Sequence, residues 1–160
     1  MPLTDDQGEL FQVVDEDDRP LAARSRADCH ADPSLIHRSV WVVVTTPDGM
    51  LYQRRGLGKD SSPGAWDLAC AGHVAAGESY LAAAIRELAE EVGIVDAEPV
   101  HAGTFLMRLP HETEMSTVFT LHHPGPFLVR PPEVIGLVAL AEPPVPLTPS
   151  AELVLAFLRR

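Results

Sequence analysis

Residues 72–94 read Gly72-His73-Val74-Ala75-Ala76-Gly77-Glu78-Ser79-Tyr80-Leu81-Ala82-Ala83-Ala84-Ile85-Arg86-Glu87-Leu88-Ala89-Glu90-Glu91-Val92-Gly93-Ile94. The spacing predicts a helix from about Ser79 to Val92. Ser79 can serve as N-cap, since its hydroxyl accepts from a first-turn N–H that has no partner within the helix. Gly93 fits the C-terminal stop, where a left-handed residue closes the last turn. Leu81, Ile85, Leu88 and Val92 recur at i, i+4, i+7 and i+11, which at about 100° per residue makes one narrow apolar stripe. Glu87, Glu90 and Glu91 stand at i, i+3 and i+4 and share a second face, roughly 130° round from the stripe. The expectation is a helix that docks its stripe on a sheet and holds three carboxylates together at the edge. Like charges on one face destabilise a helix unless compensated, and Arg86 neutralises only part of them. Hard divalent cations take oxygen ligands, and Mg2+ is commonly held by a few carboxylates plus substrate phosphates.

Outward from this helix the chain reads as alternating strands and turns. Leu10-Phe11-Gln12-Val13-Val14 is a first strand, ended by the acidic turn Asp15-Glu16-Asp17-Asp18. Val40 to Thr46 is β-branched, apolar and stopped by Pro47-Asp48-Gly49, and Met50 to Arg54 returns as its hairpin partner. Gly56 to Gly64 is a polar, Gly-rich loop, and Trp66 to Val74 is extended. Residues 101–109 and 116–122 are strand candidates around a His/Glu-containing loop. Residues 124–149 form a Pro-rich wrap with one short strand at Val134–Leu140, and a terminal amphipathic helix covers about 150–159. No repeat and no long linker divides the chain, so residues 1–160 are read as one domain.

The 160 residues hold 12 Lys and Arg against 23 Asp and Glu, a formal charge of −11, with 46% hydrophobic types. That suits a globular core. It argues against stable nucleic-acid binding, which needs a basic surface. If the substrate carries phosphate, a divalent cation is the simplest remedy for the repulsion. The opening Met1-Pro2-Leu3-Thr4-Asp5-Asp6 lacks the features of a signal peptide, and no apolar run approaches the roughly 20 residues of a membrane helix. Cys29 and Cys70 form no C-x-x-C. A reduced, cytoplasmic protein is the expectation.

Residues 72–94 match the pattern G-x5-E-x7-R-E-U-x-E-E-x-G-U, with U apolar, at every position. Seven fixed positions would coincide by chance in a chain this long roughly once in a million. The pattern resembles the box of the Nudix hydrolases. The resemblance implies an α/β fold, the Nudix α/β/α sandwich, with a mixed β-sheet packed between helices. It implies cleavage of a diphosphate bond in a nucleoside diphosphate derivative, with Mg2+ or Mn2+. By resemblance Glu90 and Glu91 are metal ligands, and Glu87 is a metal ligand or the base for the attacking water. Arg86 orients a neighbouring Glu, Gly72 offers its carbonyl to the metal, Gly77 and Gly93 permit tight loop ends, and Glu78 is structural or supports the metal-binding residues from behind. Homodimers are common in this family, so a homodimer is one expectation for a partner.

The resemblance extends over about residues 9–123. Phe11 to Glu16, Ile36-His37-Arg38-Ser39-Val40, Gln53-Arg54-Arg55, Lys59, Pro63-Gly64-Ala65-Trp66-Asp67 and Ala71-Gly72-His73 are similar to the Nudix subgroup related to isopentenyl-diphosphate isomerase. In that isomerase three His and two Glu bind a metal, and His30, His37, His73, Glu112 and Glu114 fall at comparable places. Two departures speak against isomerase activity. The isomerase has a proton-transferring Cys immediately before Gly-His, where this chain has Ala71. Cys70 lies one residue earlier, and in an extended segment one residue of offset turns the side chain to the opposite face. The second departure is the intact hydrolase box. Arg54, Arg55 and Lys59 are candidate phosphate contacts, although alternation sends Arg54 and Arg55 to opposite sides. Trp66 could stack on a base, but near the start of an inner strand it reads as core.

Overall fold

The eleven-residue strand β3 (Ile36–Thr46) organises the rest. Its residues are buried on both faces from Ser39 onward until Val44, as befits an apolar run inside a layered fold. The computed structural model describes residues 3–160, so Met1 and Pro2 of the opening segment lie outside the described residues. In chain order the elements are β1 (Leu10–Val14), β2 (Pro20–Ser25), α1 (Arg26–Ala31), β3, β4 (Gly49–Arg55), β5 (Trp66–Leu68), β6 (Cys70–His73), α2 (Tyr80–Val92), β7 (Val100–Arg108), β8 (Thr113–His122), β9 (Val134–Leu140) and α3 (Pro149–Leu158).

One edge of β3 runs parallel to β8 from Ile36↔Thr113 to Thr45↔His122. The other edge is shared by three strands. β1 takes residues 36–37, β6 takes Ser39 to Val42, and β4 takes only Thr45 and Thr46. The expected hairpin therefore closes at its turn and then opens, because β6 occupies the edge that β4 would need. β4 pairs instead with β9 and β5. The segment Trp66–His73 crosses the gap, bonding first to β4 and then to β3. Where β3 and β4 part, a cavity forms.

The mixed sheet is packed between helices, as expected. α2 covers the face carrying Val40, Val42, Val44 and Cys70. α3 covers the opposite face, with Trp41, Val43, Tyr52 and Leu68. Trp66 is half-buried and packs against that second cluster. Cys29 and Cys70 are buried free thiols, and Cys70 faces α2 on the side opposite Ala71.

The caps of α2 are those read from the sequence. Ser79 accepts from the Ala82 N–H, and Gly93 adopts φ 74° with its N–H on the Leu88 carbonyl. The predicted docking stripe is corrected. Leu81 and Ile85 are 36% and 42% exposed, whereas Ala83, Ala84, Glu87, Leu88 and Val92 are buried. On a helical wheel Glu87 and Glu91 fall inside the arc from Ala83 to Val92. The helix thus docks through small alanines that let it approach the sheet closely, and carries two of its carboxylates inward. β2 and α1 are further elements without a sequence signal. α1 has six residues and is capped by Ser25. Among the described residues no helix is long and apolar enough to cross a membrane.

Candidate active site

A cavity of about 760 Å³ opens between the diverging strands. Its walls include Gln53 and Arg55 from β4, Ala71, Gly72 and His73 from β6, and Glu87, Glu90 and Glu91 from α2.

The α2 carboxylates enter it differently. The outer edge of β6 donates the Ala71 N–H to Glu91 Oε2 at 3.0 Å, and Gln53 Nε2 donates to the same oxygen at 2.9 Å. Glu87 is buried against Gly72, where a Cβ would land on the Glu87 carboxyl carbon. Only glycine lets this carboxylate reach the strand, which places it near the Gly72 backbone. Arg86 Nη1 donates to Glu87 Oε1 at 2.6 Å and to Glu90 Oε2 at 3.3 Å. The same guanidinium is held by Glu78 at 2.9 Å and by the His73 carbonyl at 3.0 Å. Arg86 is therefore braced from behind while it orients Glu87. Glu90 stays at the rim, as expected, with its side chain 59% exposed, and Glu87 and Glu91 are corrected to inward positions. The three glutamates are not clustered at one edge as expected. Burial, then the Glu91 charge, pushes the Glu87 carboxyl up to about 8, with Arg86 opposing. Burial likewise pushes Glu91 up to about 7, against the hydrogen bonds from Ala71 and Gln53. Two inward carboxyls that resist ionisation in the metal-free fold are suited to a cation, which would neutralise them.

The basic residues do not form a free anion site. Arg54 donates to the Gly64 carbonyl and does not line the cavity. Arg55 lines it but is paired with Asp67 at 3.3 Å. Lys59 lines it and is tied to Asp5 at 2.6 Å and Glu133 at 2.7 Å. Arg26, which carried no sequence signal, is 5% exposed and paired with Asp5, Glu9 and Asp60. Each cavity cation is already balanced by a carboxylate, so a diphosphate needs added positive charge.

A second group gathers on the same cavity. The ligand atoms of His30, His37, His73 and Glu112 all lie within 4.8 Å of one another. α1 supplies His30, β3 His37, β6 His73, and the β7–β8 loop Glu112. Glu114, opposite His37 in the β3–β8 register, puts Oε1 at 3.6 Å from His37 Nε2 and 3.5 Å from His73 Nε2. His30 Nε2 and Glu112 Oε2 face each other at 2.8 Å, and both His37 nitrogens are buried without a hydrogen-bond partner. Buried polar atoms normally find partners. Convergent imidazole and carboxylate donors around an unpartnered His37 ring fit a transition-metal ion. Burial pushes His73 down to about 3, which leaves its ring neutral and able to ligate. For His30, burial alone would lower the value, but Asp60 and Glu112 outweigh it and hold it at about 9. Phe11 stacks on His73 at 4.1 Å between centroids and fixes that ring.

The NUDIX domain family model matches residues 35–156. The chain belongs to the Nudix hydrolase family. The Nudix match starts just before β3 and ends within α3, so α1 and His30 precede it. The uncharacterized Nudix hydrolase PA4841 of Pseudomonas aeruginosa is 39% identical over 127 residues, covering 79% of this chain and 75% of that protein. The isopentenyl-diphosphate Delta-isomerase of Nocardia farcinica is 36% identical over 150 residues, covering 82% of this chain and 85% of that protein. The structure of DR0079 from Deinococcus radiodurans shares the fold, with a TM-score of 0.71 at 23% identity over 93% of this chain and 89% of that one.

Sequence reasoning missed Gln53 as the partner of Glu91, and Asp60 and Phe11 as supports of the histidines. Gln53 did carry a signal. A polar residue in the otherwise buried run Leu51-Tyr52-Gln53 needs a buried partner.

Proposed function

We propose that the chain is a divalent-metal-dependent hydrolase of the diphosphate linkage in a nucleotide derivative, working with Mg2+ or Mn2+. The observation that carries this reading is the inward pair Glu87 and Glu91, facing a cavity whose cations are all balanced. Glu91 and Glu87, with Glu90 from the rim and the Gly72 carbonyl, would hold the cation. When bound, the cation supplies charge neutralisation for the diphosphate and activation of the attacking water. Arg86 keeps Glu87 aimed at the cavity, and Gln53 and the Ala71 N–H fix Glu91. Glu87, held by Arg86 against Gly72, would serve as a ligand of that cation or as the base for the attacking water. His30, His37, His73, Glu112 and Glu114 would hold a second metal, at which a softer ion is preferred. The test is formation of phosphomonoesters, read by 31P NMR, from a panel of nucleoside diphosphate derivatives with Mg2+ or Mn2+. No phosphomonoester from any member would count against the reading.

One observation favours an isomerase of allylic diphosphates, namely that the His/Glu group is gathered. Ala71 weighs against it. It lines the cavity and offers no titratable proton, while Cys70 is sealed beneath α2. Burial, then the nearby Glu91 and Glu87 charges, also raises the Cys70 thiol well above its ordinary range.

A pH effect follows from the same carboxyls. Glu87 and Glu91 bind protons more tightly in the metal-free fold than at the ordinary value of 4.5. Their contribution to stability is full below about pH 4.5 and is lost as pH rises through about 7 to 8. A bound cation must displace those protons, so its affinity climbs with pH by up to about tenfold per unit for each proton displaced. The gain in Tm from Mg2+ is therefore expected to grow between about pH 5.5 and 8. Paired thermal scans with and without Mg2+ check it, since other titrating groups cancel in the difference. A gain that shrinks with pH would contradict it.

A further inference from the structure

His30 uses its two ring nitrogens for different things. Nε2 faces Glu112 and the other histidines, while Nδ1 lies 3.3 Å from Asp60 Oδ2. Asp60 comes from the Gly-rich loop between β4 and β5, 30 residues further along. Its carboxylate is itself clamped. Arg26 Nε donates to Oδ2 at 2.8 Å and Arg26 Nη2 to Oδ1 at 3.2 Å. Gln7 Nε2 reaches Oδ2 at 3.3 Å, and the Asp60 N–H is anchored on Asp5 at 2.9 Å. Arg26 and His30 stand four apart on α1, so one short helix presents both the ligand and the clamp.

A carboxylate on one imidazole nitrogen keeps the proton there and leaves the other nitrogen's lone pair for a metal. We propose that Asp60 is the positioning residue that sets the His30 tautomer for a divalent transition metal held with His37, His73 and Glu112, and that Arg26 serves to fix Asp60. This rests on the reading of the His/Glu group as a metal site. It gives the Lys59-Asp60 loop a task separate from phosphate binding. It also explains why a buried arginine lining the cavity is so fully paired.

The experiment titrates Co2+ into the 160-residue chain and into its Asp60→Asn variant, with Mg2+ present in excess to occupy the carboxylates of α2. Visible absorption reads the His-ligated ion. Asp60→Asn is expected to weaken Co2+ binding about 10- to 100-fold, the usual scale for removing the partner of a metal-ligating histidine. Long-range 1H–15N spectra of the Zn2+-loaded native protein read the tautomer directly, so the test survives if Asp60→Asn folds poorly. The proton is expected on Nδ1 of His30. Equal Co2+ affinity in the two proteins, or a proton on Nε2, would overturn the role of Asp60 alone. Failure of the native protein to bind Co2+ would overturn the metal-site reading, and this role with it.

Discussion

Glu91→Gln is expected to lower kcat about 100-fold, since losing one charged ligand is worth roughly 3 kcal/mol at the transition state. The substitution keeps an oxygen able to accept from Gln53 and the Ala71 N–H, so the local geometry survives. It also removes a partly buried carboxylate that burial holds in its protonated form up to about pH 7. At pH 8 the variant should therefore be as stable as the native protein or more so. Activity and stability moving in opposite directions separate a site residue from a structural one. Glu90→Gln, on the exposed rim, should cost about tenfold. Steady-state kinetics and thermal scans on the same preparations check both. Native kcat in Glu91→Gln at saturating metal would sink the assignment.

Exhaustive chelation is expected to suppress turnover by at least about 1000-fold, since the metal supplies both charge and nucleophile activation. The reason is local. Arg26, Arg55, Lys59 and Arg86 are each committed to carboxylates, in a chain of net charge −11. Restoring Mg2+ alone should restore hydrolysis, because a hard cation prefers the all-oxygen set on α2 to the imidazoles of the second group. If only a softer ion such as Zn2+ restored turnover, the chemistry would belong to the His/Glu group instead.

Much of this arrangement could be read from residues close in sequence. The caps of α2, the length of its helix and the terminal helix after Thr148 follow from local chemistry, as does β9 within the Pro-rich wrap. The side of α2 that docks was misread for a physical reason. Ala83 and Ala84 carry little apolar weight, so Leu81 and Ile85 dominated the pattern. Close packing on the sheet favours the small residues, and it takes Glu87 inward with them. Likewise β4 looked like a full hairpin partner because local pairing is the default. The competing claim of β6 on the β3 edge is a contact between segments some 30 residues apart. α1 is too short to show a period, yet it delivers His30. Arg55 and Lys59 were placed on the cavity by the fold and Arg54 was not, in line with strand alternation. Their pairing with Asp67, Asp5 and Glu133 depends on long-range contacts that spacing does not reveal.

The most direct measurement is 31P and 1H NMR of the native protein with Mg2+ in D2O, presented with a nucleoside diphosphate derivative and, separately, isopentenyl diphosphate. The carboxylate pair on α2 and Ala71 predict new phosphomonoester signals from the first and no deuterium entering the carbon skeleton of the second. Intact nucleotide diphosphates together with deuterium in the allylic product would contradict the account, and would mean that the chemistry of this cavity runs through the His/Glu group.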